Sequence, residues 1–182
     1  MSEFTQATHV YRTVDGHDIH ADVYRAPGDD IRPVVVWIHG GALIGGGREG
    51  LRASHRDRYL AAGYAVVSVD YRLAPETKLP GIIDDLTHAF GWVRGNATSL
   101  LRVDVERMAV VGHSAGGYLT LMAGLVADPR PKALVSYYGY GDLVGDWYAK
   151  PDPFYCQQDM VSEDDARAGV GRTPISNGAG ED

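Results

Sequence analysis

Short apolar runs of strand length alternate along the chain with longer segments whose apolar residues recur at helical spacing. Residues 9–13 and 19–24 are β-rich and flank Val14-Asp15-Gly16-His17, in which Asp-Gly is a strong hairpin signal. Val34-Val35-Val36-Trp37-Ile38, Ala65-Val66-Val67-Ser68-Val69 and Met108-Ala109-Val110-Val111-Gly112 are the kind of run that forms strands buried on both faces. Ala133-Leu134-Val135-Ser136-Tyr137 is the last of them. Helices are predicted over about residues 51–62 and from Pro80 onward, where Ile82, Ile83, Leu86, Phe90 and Val93 share one face. A third follows Gly112. Its Tyr118, Leu119, Leu121, Met122, Leu125 and Val126 are apolar nearly all round, which predicts deep burial.

Strands alternating with helices in this way predict the α/β class, a mainly parallel sheet covered by helices on both faces. From Tyr138 the pattern dissolves among Gly139, Gly141, Gly145, Pro151 and Pro153, and residues 172–182 are Gly-rich and polar. The division expected is therefore residues 1–138 as the folded portion and 139–182 as a cap-like or disordered segment.

Composition narrows the partners. With 24 Asp+Glu against 17 Lys+Arg and a net charge of −7, the chain lacks the basic balance that nucleic acid requires. The same balance disfavours anionic membrane surfaces, and no apolar run is long enough to span a bilayer. The opening residues carry no basic and apolar signal segment, so a soluble, cytoplasmic protein is expected. Cys156 is the single cysteine, which excludes an intrachain disulfide. No metal-ligand spacing appears, and neither metal nor cofactor is expected.

The sharpest motif is Gly112-His113-Ser114-Ala115-Gly116-Gly117, a G-x-S-x-G sequence between a strand and a helix. A serine hydroxyl is a weak nucleophile unless a turn exposes it beside a base, and small residues on either side leave room for such a turn. The bland alternative is a helix N-cap serine with glycines for close packing. His39-Gly40-Gly41-Ala42 follows directly on the strand of residues 34–38. Backbone N–H groups in such a loop, joined by that of Ala115, can stabilise the oxyanion of acyl transfer. Gly45-Gly46-Gly47-Arg48-Glu49-Gly50 formally matches a dinucleotide fingerprint, but its first glycine lies seven residues past the strand, too far to bring a helix N-terminus to a pyrophosphate.

These motifs, with Asp70-Tyr71-Arg72-Leu73-Ala74-Pro75-Glu76 between them, resemble the hormone-sensitive-lipase-like carboxylesterases of the α/β-hydrolase fold. The resemblance covers roughly residues 9–140 and implies the N-terminal portion of a catalytic domain, without its C-terminal strands and helices. It implies Ser114 as nucleophile, the N–H groups of Gly41, Ala42 and Ala115 as oxyanion hole, and His39 and Gly40 as support for that loop. It also implies a bracing role for residues 70–76 and a small-molecule ester substrate. Ala42 departs from the family's frequent third glycine, and a positive φ would be less comfortable there.

The larger departure is that all seven histidines precede Ser114, whereas this fold places the triad histidine after it. Asp142, Asp146, Asp152 and Asp159 lie downstream, but none is assigned as the triad acid. Three readings stay open: a serine esterase incomplete in this chain, a catalytically inert binding module, or one half of a two-chain hydrolase. A homo-oligomer or a complementing C-terminal chain are the partners these readings allow. Tyr137, Tyr138, Tyr140, Trp147, Tyr148, Phe154 and Tyr155 concentrate where a cap over an acyl pocket would sit, or form an exposed surface.

Overall fold

The apolar runs become one six-stranded sheet in the computed structural model, which describes residues 3–142, 145–146 and 150–178. The strands are β1 (Thr5–Val14), β2 (His17–Arg25), β3 (Arg32–Ile38), β4 (Ala65–Val69), β5 (Val103–His113) and β6 (Ala133–Tyr137). Their order is β1-β2-β4-β3-β5-β6. β4, β3, β5 and β6 run parallel, while β1 and β2 form an antiparallel hairpin that joins β4. The hairpin turn puts Asp15 and Gly16 at φ 52° and 79°, the two positive values that the Asp-Gly signal anticipates.

Each parallel connection carries a helix: α1 (Ala53–Ala61) between β3 and β4, α2 (Leu79–Gly95) between β4 and β5, and α3 (Ala115–Val126) between β5 and β6. The two-residue period of the strands divides the core. Val34, Val36, Ile38, Val67, Val69 and Val110 face α2 and α3, with Leu86, Phe90 and Leu119. Val35, Trp37, Val66 and Val111 face α1, where Leu60 covers them. Every residue of β4 is buried, as a continuous Val/Ala run between two helical layers requires.

β5 begins five residues earlier than its apolar run, because Val103 and Asp104 already pair with Arg32 and Pro33. The register then shifts between Pro33 and Val34, so Val105, Glu106 and Arg107 are absorbed in an irregularity that the apolar pattern does not reveal. α3 is the larger correction. Ala115, Leu119 and Ala123 are buried, but Leu121 and Leu125 are 43% and 71% exposed. All five residues of β6 are exposed or half-buried, and β6 pairs only with β5 among the described strands. A helix apolar all round anticipates cover on every side, and the described residues cover one side of it.

The loop between β3 and α1 is tied to the sheet by charge. The Arg48 guanidinium lies 2.6 Å from Asp70 and 3.1 Å from Asp22, and its backbone N–H donates to Asp70 at 2.7 Å. Both carboxylates are buried. Thr8 donates to Asp22 and Ser68 donates to the Arg48 carbonyl, each at 2.7 Å. A second buried carboxylate, Asp85 of α2, takes Arg12 of β1 at 2.7 Å and Arg72 at 2.8 Å. Of the described residues after β6, 150–154 and 156–168 are exposed and include a short helix, α4 (Glu163–Ala168). Residues 171–178 then cross three loops, reaching Glu76, Leu73, His17 and Gly46.

Removing Arg48 leaves two buried carboxylates without their shared cation. Arg48→Met is expected to lower stability by about 3 kcal/mol or more, read as the urea midpoint. Arg58→Ala, an exposed change at the end of α1, should stay within about 0.5 kcal/mol of the parent.

Candidate active site

The end of β3 and the end of β5 lie side by side, with Ile38 paired to Gly112. Immediately after β5 the chain turns through Ser114 into α3. Ser114 stands at φ 54° and ψ −123°, a strained conformation for a residue with a side chain. Packing holds it there. A Cβ on Gly112 would lie 2.2 Å from the Gly116 carbonyl oxygen, and one on Gly116 would lie 2.2 Å from that of Ile38. The glycines on either side of the serine are therefore required by contact, and the first turn of α3 sits directly against the end of β3.

Ser114 donates its backbone N–H to Tyr137 O at 2.9 Å and accepts from Tyr118 N–H at 3.1 Å, which seats the turn between β6 and α3. Its side chain is half-buried. The N–H of Ala115 is the first of α3, so it has no partner within the helix.

Across from it runs the loop after β3. Gly41, Ala42 and Leu43 take φ values of 116°, 55° and 67°, three successive left-handed residues of which two are not glycine. Gly41 needs its missing side chain, since a Cβ would fall 2.1 Å from Gly45 O. Its carbonyl accepts from Ile44 and Gly45 at 3.0 and 2.9 Å, and Leu43 O accepts from Ala74 at 2.8 Å. The N–H groups of Gly41 and Ala42 donate to no backbone acceptor among the described residues. Gly40 abuts His113, with a built Cβ 2.9 Å from its ring.

His39 is buried behind this loop. Its ring stacks on Tyr71 at 4.1 Å and 6°, its Nδ1–H donates to Gly40 O at 2.7 Å, and Tyr71 OH donates to His39 O at 3.0 Å. That assignment leaves Nε2 unprotonated, and it has no hydrogen-bond partner among the described residues. Burial is the largest influence on the ring and pulls its pKa down to about 4. A neutral imidazole stacked on a tyrosine, bonded to the next carbonyl, braces a loop and is not free to take a proton from Ser114. Burial likewise pushes Asp70 up to about 6, against the pull of Arg48.

The other histidines are engaged or remote. His113 lines a cavity of about 270 Å³ with Trp37, Arg52, His55, Tyr137 and Tyr138. Its ring centroid is 5.6 Å from that of Trp37, and partial burial, then Arg52 and His55, lower its pKa. His9 packs on Trp92, His17 meets Ser176 at 2.9 Å, and His88 bonds to Asp84 O one helical turn back. None makes a hydrogen bond to Ser114 among the described residues.

A strand ending in a strained serine, beside a glycine loop with unspent N–H groups, points to one family. The BD-FAE family model matches residues 21–152. The chain belongs to the BD-FAE family. Its fold is that of α/β-hydrolase carboxylesterases, as the resemblance to the hormone-sensitive-lipase-like group implies. It is similar to a hyperthermophilic esterase of the archaeon Pyrobaculum calidifontis, with 35% identity and a TM-score of 0.63 over 79% of this chain and 46% of that one. A structure from a study of two fungal esterases of Rhizomucor miehei is likewise 35% identical, with a TM-score of 0.61 over 70% of this chain and 40% of the other. The chain is also 33% identical over 178 residues to the non-reducing polyketide synthase trt4 of Aspergillus terreus, covering 87% of this chain and 7% of the synthase. It thus spans less than half of these esterases and a small part of the synthase.

In this BD-FAE chain the six residues singled out from sequence converge on one corner of the sheet: Ser114 and Ala115 at the end of β5, His39, Gly40, Gly41 and Ala42 at the end of β3. The downstream aspartates do not join them. Asp142 and Asp152 accept from local N–H groups, and Asp146 pairs with Lys150, all on the surface. Of the aromatic concentration, Tyr137 and Tyr138 line the cavity, Tyr140 packs on the core and Phe154 is exposed. Trp147, Tyr148 and the Tyr155 side chain lie outside the described residues. Sequence reasoning missed Arg48, Tyr71 as the partner of His39, and Asn177 and Gly178 beside the glycine loop. The first two sit inside motifs already noticed, where the short Gly47-Arg48-Glu49 spacing was the available signal.

Two outcomes follow from this geometry. Between about pH 4 and 6.5 the unfolded chain takes a proton on His39 that the folded chain refuses, so stability rises with pH across that window and is complete above it. The gain is up to about 3 kcal/mol at ~1.4 kcal/mol per pH unit. Asp70, raised to about 6, works the other way between about pH 4 and 6. The His39 part is therefore read from urea melts at pH 4.5 and 7, as the amount by which His39→Gln lowers the gain from pH 4.5 to 7; an unchanged difference would assign no part of it to His39. Separately, Gly116→Ala is expected to cost about 3 kcal/mol or more, or to prevent folding. Gly91→Ala in α2, where a Cβ meets open space, should stabilise by up to about 1 kcal/mol.

Proposed function

We propose that this chain supplies the nucleophile and oxyanion hole of a serine hydrolase that cleaves small carboxylic esters through an acyl-enzyme. The observation that carries the reading is Ser114 held at φ 54° beside the unspent N–H groups of Gly41 and Ala42. In this reading Ser114 Oγ attacks the ester carbonyl carbon and its proton passes to a base. The carbonyl oxygen becomes an oxyanion that accepts from the N–H groups of Gly41, Ala42 and Ala115. The tetrahedral intermediate expels the alcohol, which takes a proton as it leaves, and water then releases the acid by the reverse sequence. His39 and Gly40 hold the donors in place and exchange no proton with substrate. Sequence likeness to esterases supports the substrate class.

The base is the open position. No histidine bonds to Ser114 among the described residues, while β6, next to the serine turn, has an edge that pairs with no described strand. The reading therefore assigns the base and its carboxylate to a polypeptide that pairs with that edge. The inert binding module is the second reading, and the same missing contact favours it.

The test uses p-nitrophenyl acetate. Oxyanion donors aimed at the substrate carbonyl lower the barrier to attack by the serine even without a base. In this reading the 182-residue chain should become acetylated at Ser114, detected by intact mass and peptide mapping, while Ser114→Ala does not. Imidazole added as a diffusible base should speed acetylation of the parent above the uncatalysed background seen with Ser114→Ala. Equal rates for the two proteins with and without imidazole would establish the inert reading instead.

A further inference from the structure

The three left-handed residues 41–43 are the least self-sufficient backbone near the site. For a residue with a Cβ this region costs roughly 1–2 kcal/mol, so Ala42 and Leu43 keep it only where neighbours over-determine the loop. Part of that restraint is internal, from Ile44 and Gly45 donating to Gly41 O, and part comes from Ala74 donating to Leu43 O. The remainder comes from far along the chain.

Residues 171–178 form a strap across the loop. Gly171 N–H donates to Glu76 at 2.8 Å, and Leu73 N–H donates to Ile175 O at 2.7 Å. The buried Ser176 meets His17 at 2.9 Å. Asn177 then donates to Glu49 at 2.8 Å, and Gly178 N–H donates to Gly46 O at 2.9 Å. Glu49 is itself 2.8 Å from Arg48, so the strap joins the network that anchors the loop to Asp70 and Asp22. Contact is close on both sides. A Cβ on Gly178 would lie 2.8 Å from Gly45 Cα, and one on Gly47 would lie 2.6 Å from the Asn177 amide. Gly46 stands at φ 83°, so the strap bonds the loop at another left-handed residue.

We propose that Asn177 and Gly178 are positioning residues, and that the strap they end holds residues 41–46 in the conformation that presents the Gly41 and Ala42 N–H groups. This rests on the oxyanion reading above for its catalytic consequence, but not for its structural one. Asn177 and Gly178 touch no reacting atom; they act through Glu49, Gly45 and Gly46.

The experiment approaches the contact from both sides. Gly178→Ala pushes the strap off Gly45, and Gly47→Ala displaces Asn177. Gly141→Ala, where a Cβ meets nothing within 4 Å, is the control. Hydrogen exchange of the Ile44, Gly45 and Ala74 amides, which close the loop, should be at least about tenfold faster in both variants, with β3 and β5 amides unchanged. The rate constant for Ser114 acetylation by p-nitrophenyl acetate should fall about tenfold in both variants, with the ester concentration at half-saturation unchanged. The proposal is overturned if those three amides exchange as in the parent, or if β3 and β5 amides accelerate equally, which would make the strap a general stabiliser. If the parent shows no Ser114-dependent acetylation, with or without imidazole, while the loop amides respond, the strap stands and the esterase reading falls.

Discussion

Contact between the first turn of α3 and the end of β3 decides the geometry of the whole corner. With no Cβ at Gly116, the helix backbone reaches the Ile38 and His39 carbonyls, and with none at Gly112, the strand reaches the helix in turn. Ser114 has no freedom to relax, because the chain must pass from β5 into α3 within a single residue. The same approach brings the N–H of Ala115 to the loop that begins at His39. Ser114 and the N–H groups of Gly41 and Ala42, from strands adjacent in space but far apart in sequence, thus become neighbours through one steric fact. Gly40 against His113 repeats it on the opposite side.

What contact places, buried polar groups keep in place. His39 is neutral because it is buried, and its tautomer is fixed by Gly40 O, so it stacks on Tyr71 without needing a counter-charge. Arg48 does need its counter-charges, and it holds the far side of the same loop through Asp70 and Asp22. One side of the loop is braced by an uncharged ring and the other by a buried ion network. Positive φ at Ala42, Leu43 and Ser114 is the strain those braces offset. Residues 70–76, which sequence resemblance implied as a brace, supply Asp70, Tyr71 and Arg72 to three separate contacts.

Most of the sheet was legible from apolar runs, because a strand buried on both faces has little choice of composition. The hairpin was legible from Asp15-Gly16 for a similar reason: few residue pairs accept two positive φ values. The serine turn and glycine loop were legible because close approach demands glycine at fixed offsets. Pairing was not. Nothing in the order of residues says that Arg48 meets Asp22, or that Gly178 returns to Gly46, since such contacts are set by where loops land after the core has formed. The exposure of α3 was misread for a related reason. Apolar periodicity reports what a surface is suited to touch, and Leu121 and Leu125 are suited to a contact that the described residues do not make.

The open edge of β6 and the base that the proposed reading requires share one place. In parallel α/β sheets, chemistry gathers at the carboxyl ends of the strands, and here β3 and β5 deliver His39 and Ser114 at that end. β6 reaches the same end at Tyr137, whose carbonyl already holds the Ser114 N–H. A strand added parallel to β6 would lie about 5 Å further across and would finish at the same level. It would therefore stand roughly 10 Å from β5, a gap that a loop and one imidazole can cross. Adding a strand at that edge would pair the open side of β6 and bring a base within reach of Ser114, so in the proposed reading the base and the open edge are two signs of the same pairing.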